Sequence, residues 1–227
     1  MIIAVTGLVR EARIVASLGV TTVSCGGRSA LLREKLERAM TKSTAGIISI
    51  GIAGGLAPSL KAGDCVIASE IISDGQHIPT DASWTGRLAA RLPNARIAPL
   101  TGSDEIIFGP TSKAALFRAT GAYAVDTESH IVARLAGLHR IPFAALRTIA
   151  DSAHSELPRL VSGAITPAGT VNLLAVLRAI ISDPRQIPPL IRAARDSNAG
   201  FQALLRCRNV LGLRLAGPDG RELALDM

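Results

Sequence analysis

Short runs of aliphatic and β-branched residues alternate with helical patterns along the chain as far as about residue 180. The runs Ile2–Val5, Thr22–Ser24, Gly46–Ile50, Asp64–Ile67, Ala122–Val125 and Phe143–Thr148 predict strands. Ser29–Met40, Ser112–Thr120, Ser129–His139 and Val171–Ile181 predict helices. Such alternation implies βαβ units. The expected fold is a single α/β domain in three layers, with a central mixed, largely parallel twisted sheet flanked by helices.

Two stretches break the pattern. Ser69–Arg96 is mixed and polar, holds the single tryptophan, Trp84, and reads as a long excursion over the mouth of a site. Ser155–Pro167 carries Pro158, Gly163 and Pro167 directly after a strand ending in an acid, and reads either as a lid or as a surface connection without function. From Pro184 the character changes. Pro188-Pro189 opens a helix that runs to about Leu211, with Gly212 as its stop. Between Arg185 and Arg214 stand six arginines and one acid, Asp196. Leu190, Ala194, Phe201, Leu204 and Leu211 share a stripe, so this helix is basic and amphipathic. The expected organisation is a main domain over 1–183, the basic helix over 184–212, packed on that domain or extending from it, and a tail over 213–227.

Composition narrows the class. In 227 residues, 48% hydrophobic and 19% charged, there is enough apolar material for one large core, which excludes a disordered or fibrous chain. The net charge of +7 is carried almost wholly by arginine and favours anionic partners, phosphate or an acidic membrane surface. No aromatic platform interleaves with the arginines, so a nucleic-acid partner is not expected. Cys25, Cys65 and Cys207 lack metal-ligand or CxxC spacing and read as reduced thiols of a cytoplasmic protein. The opening Met-Ile-Ile-Ala-Val-Thr-Gly is strand-like from its second residue and argues against export. No apolar run approaches the roughly 20 residues that span a bilayer.

The candidate chemistry lies at strand ends. Asp151 closes the run Phe143–Ala150, and Glu128 follows the run ending at Val125. Carboxylates at the C-terminal ends of strands line the crevice in which open α/β sheets bind ligands. The segment Gly51-Ile-Ala-Gly-Gly-Leu56 follows another strand, and glycines there let backbone approach a ligand closely. Thr6-Gly7-Leu8-Val9-Arg10-Glu11-Ala12-Arg13 has a strand, a glycine turn and a helix start, the geometry of an anion site, although taken alone Arg10, Glu11 and Arg13 read as a solvated first turn. His77, His139 and His154 have no partner at ligand spacing, and no metal site is expected. His130 reads as a structural residue or an orienter of Glu128.

Taken together, Gly51–Leu56, Val125-Asp-Thr-Glu128 and Arg147-Thr-Ile-Ala-Asp151 resemble the nucleoside phosphorylase and nucleosidase superfamily over residues 1 to about 181. Within it, Val5-Thr-Gly-Leu8, Arg10-Glu-Ala-Arg13, Glu128-Ser-His130 with Ala133-Arg134, and the arginine-rich helix with Arg195-Asp196 resemble the hopanoid-associated phosphorylases. The resemblance implies cleavage of the N-glycosidic bond of a purine nucleoside, by phosphorolysis or hydrolysis, with adenosylhopane as substrate. Methylthioadenosine/S-adenosylhomocysteine nucleosidase is the alternative enzyme, and a non-catalytic nucleoside-binding module the alternative outside enzymes. Asp151 is then the acid that protonates the leaving base, and Glu128 the clamp on the ribose hydroxyls.

Other positions depart from the family pattern. Thr127 stands where the nucleosidases usually carry Met beneath the ribose. Ungapped counting puts Glu105 at the base-stacking aromatic, leaving Ile106, Ile107 or Phe108 to contact the base. Ala12 falls at the nucleosidases' water-activating Glu, with Glu11 one residue short, and Glu11 is read as the second catalytic residue. Arg10 and Arg13, with Gly7 and Gly51, form the phosphate or water site, although Ile52 replaces a serine that often touches phosphate. Thr127, Ile106 and Gly54 complete the substrate contacts. No cofactor is implied beyond inorganic phosphate as a co-substrate. The partners expected are a small or lipid-linked purine nucleoside and a second copy in a homodimer. A cytoplasmic location is expected, with the basic helix offering peripheral contact to the inner membrane surface.

Overall fold

The computed structural model describes residues 1–26, 29–156 and 187–218. In chain order the elements are β1 (Ile2–Thr6), α1 (Val9–Val15), β2 (Val20–Ser24), α2 (Ser29–Ala39), β3 (Gly46–Gly55), β4 (Cys65–Ser73), β5 (Gln76–Pro79), α3 (Ala82–Arg91), β6 (Arg96–Gly102), α4 (Pro110–Thr120), β7 (Ala124–Asp126), α5 (Ser129–Leu138), β8 (Phe143–Asp151) and α6 (Ile187–Leu211). Each of the six expected strands is present. The expected helix Val171–Ile181 and the lid beyond Glu156 lie outside the described residues.

Period-two alternation divides the core between the two faces of the sheet. Along β1, Ile3 and Val5 join the cluster that holds Leu32, Leu36, Val132 and Leu135 of α2 and α5. Ile2 and Ala4 join the opposite cluster, with Val15, Trp84, Leu88, Leu204 and Leu211 of α1, α3 and α6. Both faces are therefore covered, which accounts for β1 and β8 being buried at every position.

The sheet is mixed, with five parallel and three antiparallel pairings among the described strands. β1 pairs in parallel with β2 and β3, β3 with β8, and β6 with β4 and β7. Antiparallel pairs β3–β7 and β4–β8 then join the two halves, so β3, β7, β6, β4 and β8 form a closed ring. β8 holds one edge of β3 from Ile47 to Gly54. The other edge is shared: β1 pairs as far as Ser49, and β7 takes over at Gly54. Between these points the edge opens, and the site is built there.

The stretch Ser69–Arg96 departs from its sequence reading. β4 runs on to Ser73 and turns back as β5 through Asp74 and Gly75, both at positive φ. α3 follows, capped by the Asp81 side chain, which accepts from Trp84 N at 2.7 Å. Trp84 is wholly buried, and a Cβ on Gly46 would meet its ring at 2.7 Å. Gly46 begins β3, so α3 closes the end of the sheet remote from the candidate carboxylates rather than roofing them. The alternating hairpin was hidden by its polar outer face.

The C-terminal region is also tighter than expected. Gly200 presses α6 onto β8, where a Cβ would stand 3.0 Å from Ile149 O, and Thr148 Oγ1 donates to Gly200 O at 2.9 Å. Of the predicted stripe, Phe201, Leu204 and Leu211 are buried, whereas Ala194 is exposed. The start of the expected tail packs on the domain: Leu215 and Ala216 are buried, Trp84 Nε1 donates to Leu215 O at 3.0 Å, and Arg87 Nε donates to Ala216 O at 3.0 Å, while 219–227 lie outside the described residues. No described helix is long and apolar enough to cross a membrane.

Candidate active site

β3 organises the site. Its glycines Gly51, Gly54 and Gly55 leave room for side chains from both flanking strands and from α1. Arg147 on β8 pairs with Gly51 in register and is completely buried. Its Nε lies 3.0 Å from Asp126 Oδ2, its Nη2 lies 3.6 Å from Glu128 Oε2, and Nη2 donates to Ser49 Oγ at 2.6 Å. Glu11 enters from α1 at the open edge of β3. Its Oε1 accepts from Ile52 N and its Oε2 from Leu8 N, both at 2.7 Å. The second bond caps α1, as a glutamate three residues beyond the cap does.

Three carboxylates thus surround one guanidinium in a buried volume. Burial raises Glu11 above the ordinary carboxyl range, against the lowering effect of Ile52 N and Arg147. Burial likewise pushes Glu128 up to about 7; Arg147 opposes this, while Asp126 and Glu11 reinforce it. Asp126 goes the other way. Burial would raise it, but Arg147 and the amides of Ser129 and Glu128 hold it low. Asp126 is therefore the fixed anion and Glu128 the group poised to titrate. Thr127 Oγ1 donates to Glu128 Oε1 at 2.5 Å. Gly7 abuts the same carboxylate, where a Cβ would stand 2.7 Å from Oε1.

Asp151 lies farther along β3. It pairs with Gly54 after a bulge that inserts Ala150 into β8, and such an extra residue re-aims the end of a strand. Gly54 also faces Val125, two residues before Thr127. Three residue steps take β3 from Gly51 to Gly54, which at ~3.3 Å each is about 10 Å. Burial raises Asp151 above its ordinary range, opposed by Lys113 of α4, which is itself fully buried and donates to the Asp151 carboxylate. Asp196 of α6 adds to the rise.

Of the sequence-predicted residues, the structure brings together Glu11, Glu128, Thr127, Gly7 and Gly51, and places Asp151, at the end of β8, beside Gly54 farther along β3. Arg10 and Arg13 depart from this group. Both are exposed, and Arg10 stacks over the Phe201 ring at 4.0 Å and donates to Asn198 Oδ1 at 3.3 Å. Helical geometry explains it: neighbours in α1 are turned about 100° apart, so inward-facing Glu11 turns Arg10 away. Glu105 is exposed and Ile106 half-buried. Ile107 packs with Leu56, Ala122 and Val125, and helps line a cavity of about 520 Å³ with Asp74, His77, Asp104 and His130.

Arg147, Asp126 and Lys113 had no role assigned from sequence. A lone arginine in the apolar run Phe143–Ala150 was a usable signal, since a charge in a fully buried strand needs a buried partner. Lys113, in Pro-Thr-Ser-Lys-Ala, gave none.

Residues 5–182 match the family model of the phosphorylase superfamily, well over half of the chain. The chain belongs to the phosphorylase superfamily. No curated protein matches it. Among solved structures, it is similar to the futalosine hydrolase of Helicobacter pylori, at 14% identity and a TM-score of 0.65, with 94% of this chain and 96% of that chain covered. A putative 5′-methylthioadenosine/S-adenosylhomocysteine nucleosidase from Borrelia burgdorferi, bound to adenine, matches at 15% identity, TM-score 0.64, covering 93% and 99%. The corresponding nucleosidase from S. pneumoniae, with a transition-state inhibitor, matches at 18% and 0.60, covering 91% and 98%. These likenesses establish the superfamily's fold for this chain.

Proposed function

We propose that this phosphorylase-superfamily protein hydrolyses the N-glycosidic bond of a purine nucleoside. The observation that carries this reading is Glu11, buried beside Glu128 and Arg147 at the open edge of β3, while Arg10 and Arg13 lie outside. A pocket with Glu11, Asp126 and Glu128 against Arg147, the single cation there among the described residues, disfavours a phosphate dianion and suits a water molecule. Arg147 Nη1, buried and without a protein acceptor among the described residues, is a donor left over for that water or for a substrate hydroxyl.

The chemistry follows from the bond that breaks. The glycosidic electron pair moves to the purine while positive charge develops at C1′ of the sugar. Asp151, which burial shifts above its ordinary range against the pull of Lys113, donates a proton to the departing base. Glu128, ionised, accepts from the ribose hydroxyls, and the nearby carboxylates stabilise the cationic sugar. Glu11 takes the proton of the attacking water. No cofactor is called for, and inorganic phosphate enters only in a phosphorolytic variant.

The likeness of Val5–Arg13 and of the basic helix to hopanoid-associated phosphorylases supports adenosylhopane as the substrate. The likeness to the two nucleosidases supports methylthioadenosine or S-adenosylhomocysteine. Exposed Ile187 and Ile191 beside Arg192 and Arg195 support docking of α6 at an anionic membrane surface, where a lipid-tailed nucleoside resides. A cytoplasmic homodimer belongs to the same proposal. The test is product analysis after incubation with methylthioadenosine and with an adenosyl lipid, each with and without inorganic phosphate. Adenine and a free reducing sugar in phosphate-free buffer are expected. Ribose 1-phosphate ends would replace hydrolysis by phosphorolysis, and no adenine from either substrate would overturn the reading.

A further inference from the structure

Lysine is almost never fully buried without a partner, and Lys113 is fully buried at the end of the first turn of α4. Its Nζ donates to the Asp151 carboxylate, to Ser152 O at 2.9 Å and to Ser155 O at 3.1 Å. Those three bonds use all the donors an ammonium has. The Ser152 and Ser155 hydroxyls, 2.9 Å apart, close the same turn. α4 is itself well anchored, with Pro110 opening it and Gly121 in the left-handed region ending it. A rigid element thus delivers one cation to the end of β8.

We propose that Lys113 is the positioning residue for Asp151, fixing its carboxylate and balancing the charge it acquires on giving up its proton. This rests on the reading of Asp151 as the acid of N-glycosidic cleavage. In that step the proton passes from the Asp151 carboxyl to a purine nitrogen, and the C1′–N electron pair goes to the purine. Asp151 is left as a carboxylate in buried surroundings, where an unpaired charge is costly. Burial alone would make Asp151 a reluctant donor; Lys113 makes it a stronger acid. Asp196 of α6, the other charged group acting on Asp151 among the described residues, works in the opposite sense.

The experiment compares Lys113→Met with the parent on two substrates. One is methylthioadenosine, whose adenine needs a proton to leave. The other is 4-nitrophenyl riboside, whose phenolate leaves without one. We expect kcat for adenine release to fall by about 100-fold with KM nearly unchanged. The alkaline limb of kcat/KM should move up by about 1 to 3 pH units. Nitrophenyl riboside cleavage should stay within a few-fold of the parent. Equal losses on both substrates with an unmoved limb would overturn the proposal. Should Lys113→Met not fold, Lys113→Met/Asp151→Asn removes both buried charges together. Against Asp151→Asn alone it should show no further loss of adenine release, and a second large loss would overturn the role through Asp151. A parent enzyme that releases no adenine would overturn the functional reading itself, a result distinct from either of these.

Discussion

Arg147 reaches across Gly51 to Glu128. Arg147 lies on β8 and Glu128 caps α5 just beyond β7, on opposite edges of β3; they are 3.6 Å apart at their closest atoms, and the strand between them has no side chain at that point. A Cβ at Gly51 would stand 2.5 Å from Glu11 Oε1 and 2.9 Å from Arg147 Nη1. Gly51→Ala should therefore cost about 1–3 kcal/mol of stability by overpacking. It should also lower kcat/KM at least tenfold. Denaturant melts and steady-state kinetics would check both, and parental values would show that the crossing tolerates bulk.

Asp151→Asn should reduce adenine release by about 10²- to 10⁴-fold, the usual contribution of a general acid. It also leaves Lys113 buried without its countercharge, so the variant should be less stable by about 3–5 kcal/mol. Kinetics well below the melting temperature separate the two effects. Near-normal turnover of the folded variant would remove Asp151 from the chemistry.

Glu128 gives the protein a pH dependence in two observables. Its carboxyl titrates at about 7 in the folded chain against an ordinary value of 4.5. The folded state therefore binds the extra proton between these values, and stability falls as pH rises through that window. At ~1.4 kcal/mol per unit the fall attributable to Glu128 is on the order of 3 kcal/mol. Ribose binding runs the other way, because the hydroxyl-accepting form appears only as pH rises through about 7. Glu128→Gln should flatten the stability profile and erase the rising limb of kcat/KM. A profile unchanged by the substitution would assign both effects to another group.

Arg10→Ala should cost about 0.5–1 kcal/mol, the worth of an exposed cation–π contact, here with Phe201. Turnover in phosphate-free buffer should be unaffected. A loss of activity that depends on phosphate concentration would return Arg10 to the site.

The strand that ends in Asp151 and the one that leads to Glu128 were legible because a buried strand is a short apolar run, and a carboxylate at or just past its end has few structural uses. The Gly51 segment was legible as a backbone approach but not as the crossing point of Arg147. That role depends on β7 and β8 flanking one strand, a long-range pairing with no local trace. β6 was missed because Arg96-Ile-Ala-Pro-Leu mixes a charge and a proline into a strand paired with β4 and β7. Its half-exposed Ile97 leaves no alternation to follow. Glu11 and Arg10 could not be sorted from sequence, since one residue of helical phase decides which of them turns inward.

Gly200 welds the last helix to β8 two residues before Asp151, and residues 215–218 continue under Trp84. Deleting the C-terminus to ask whether it binds lipid would thus strip a wall from the interior and inactivate the enzyme for reasons unrelated to any membrane. Point changes at Ile187, Ile191, Arg192 and Arg195, on the outward half of the helix, put that question without dismantling the scaffold.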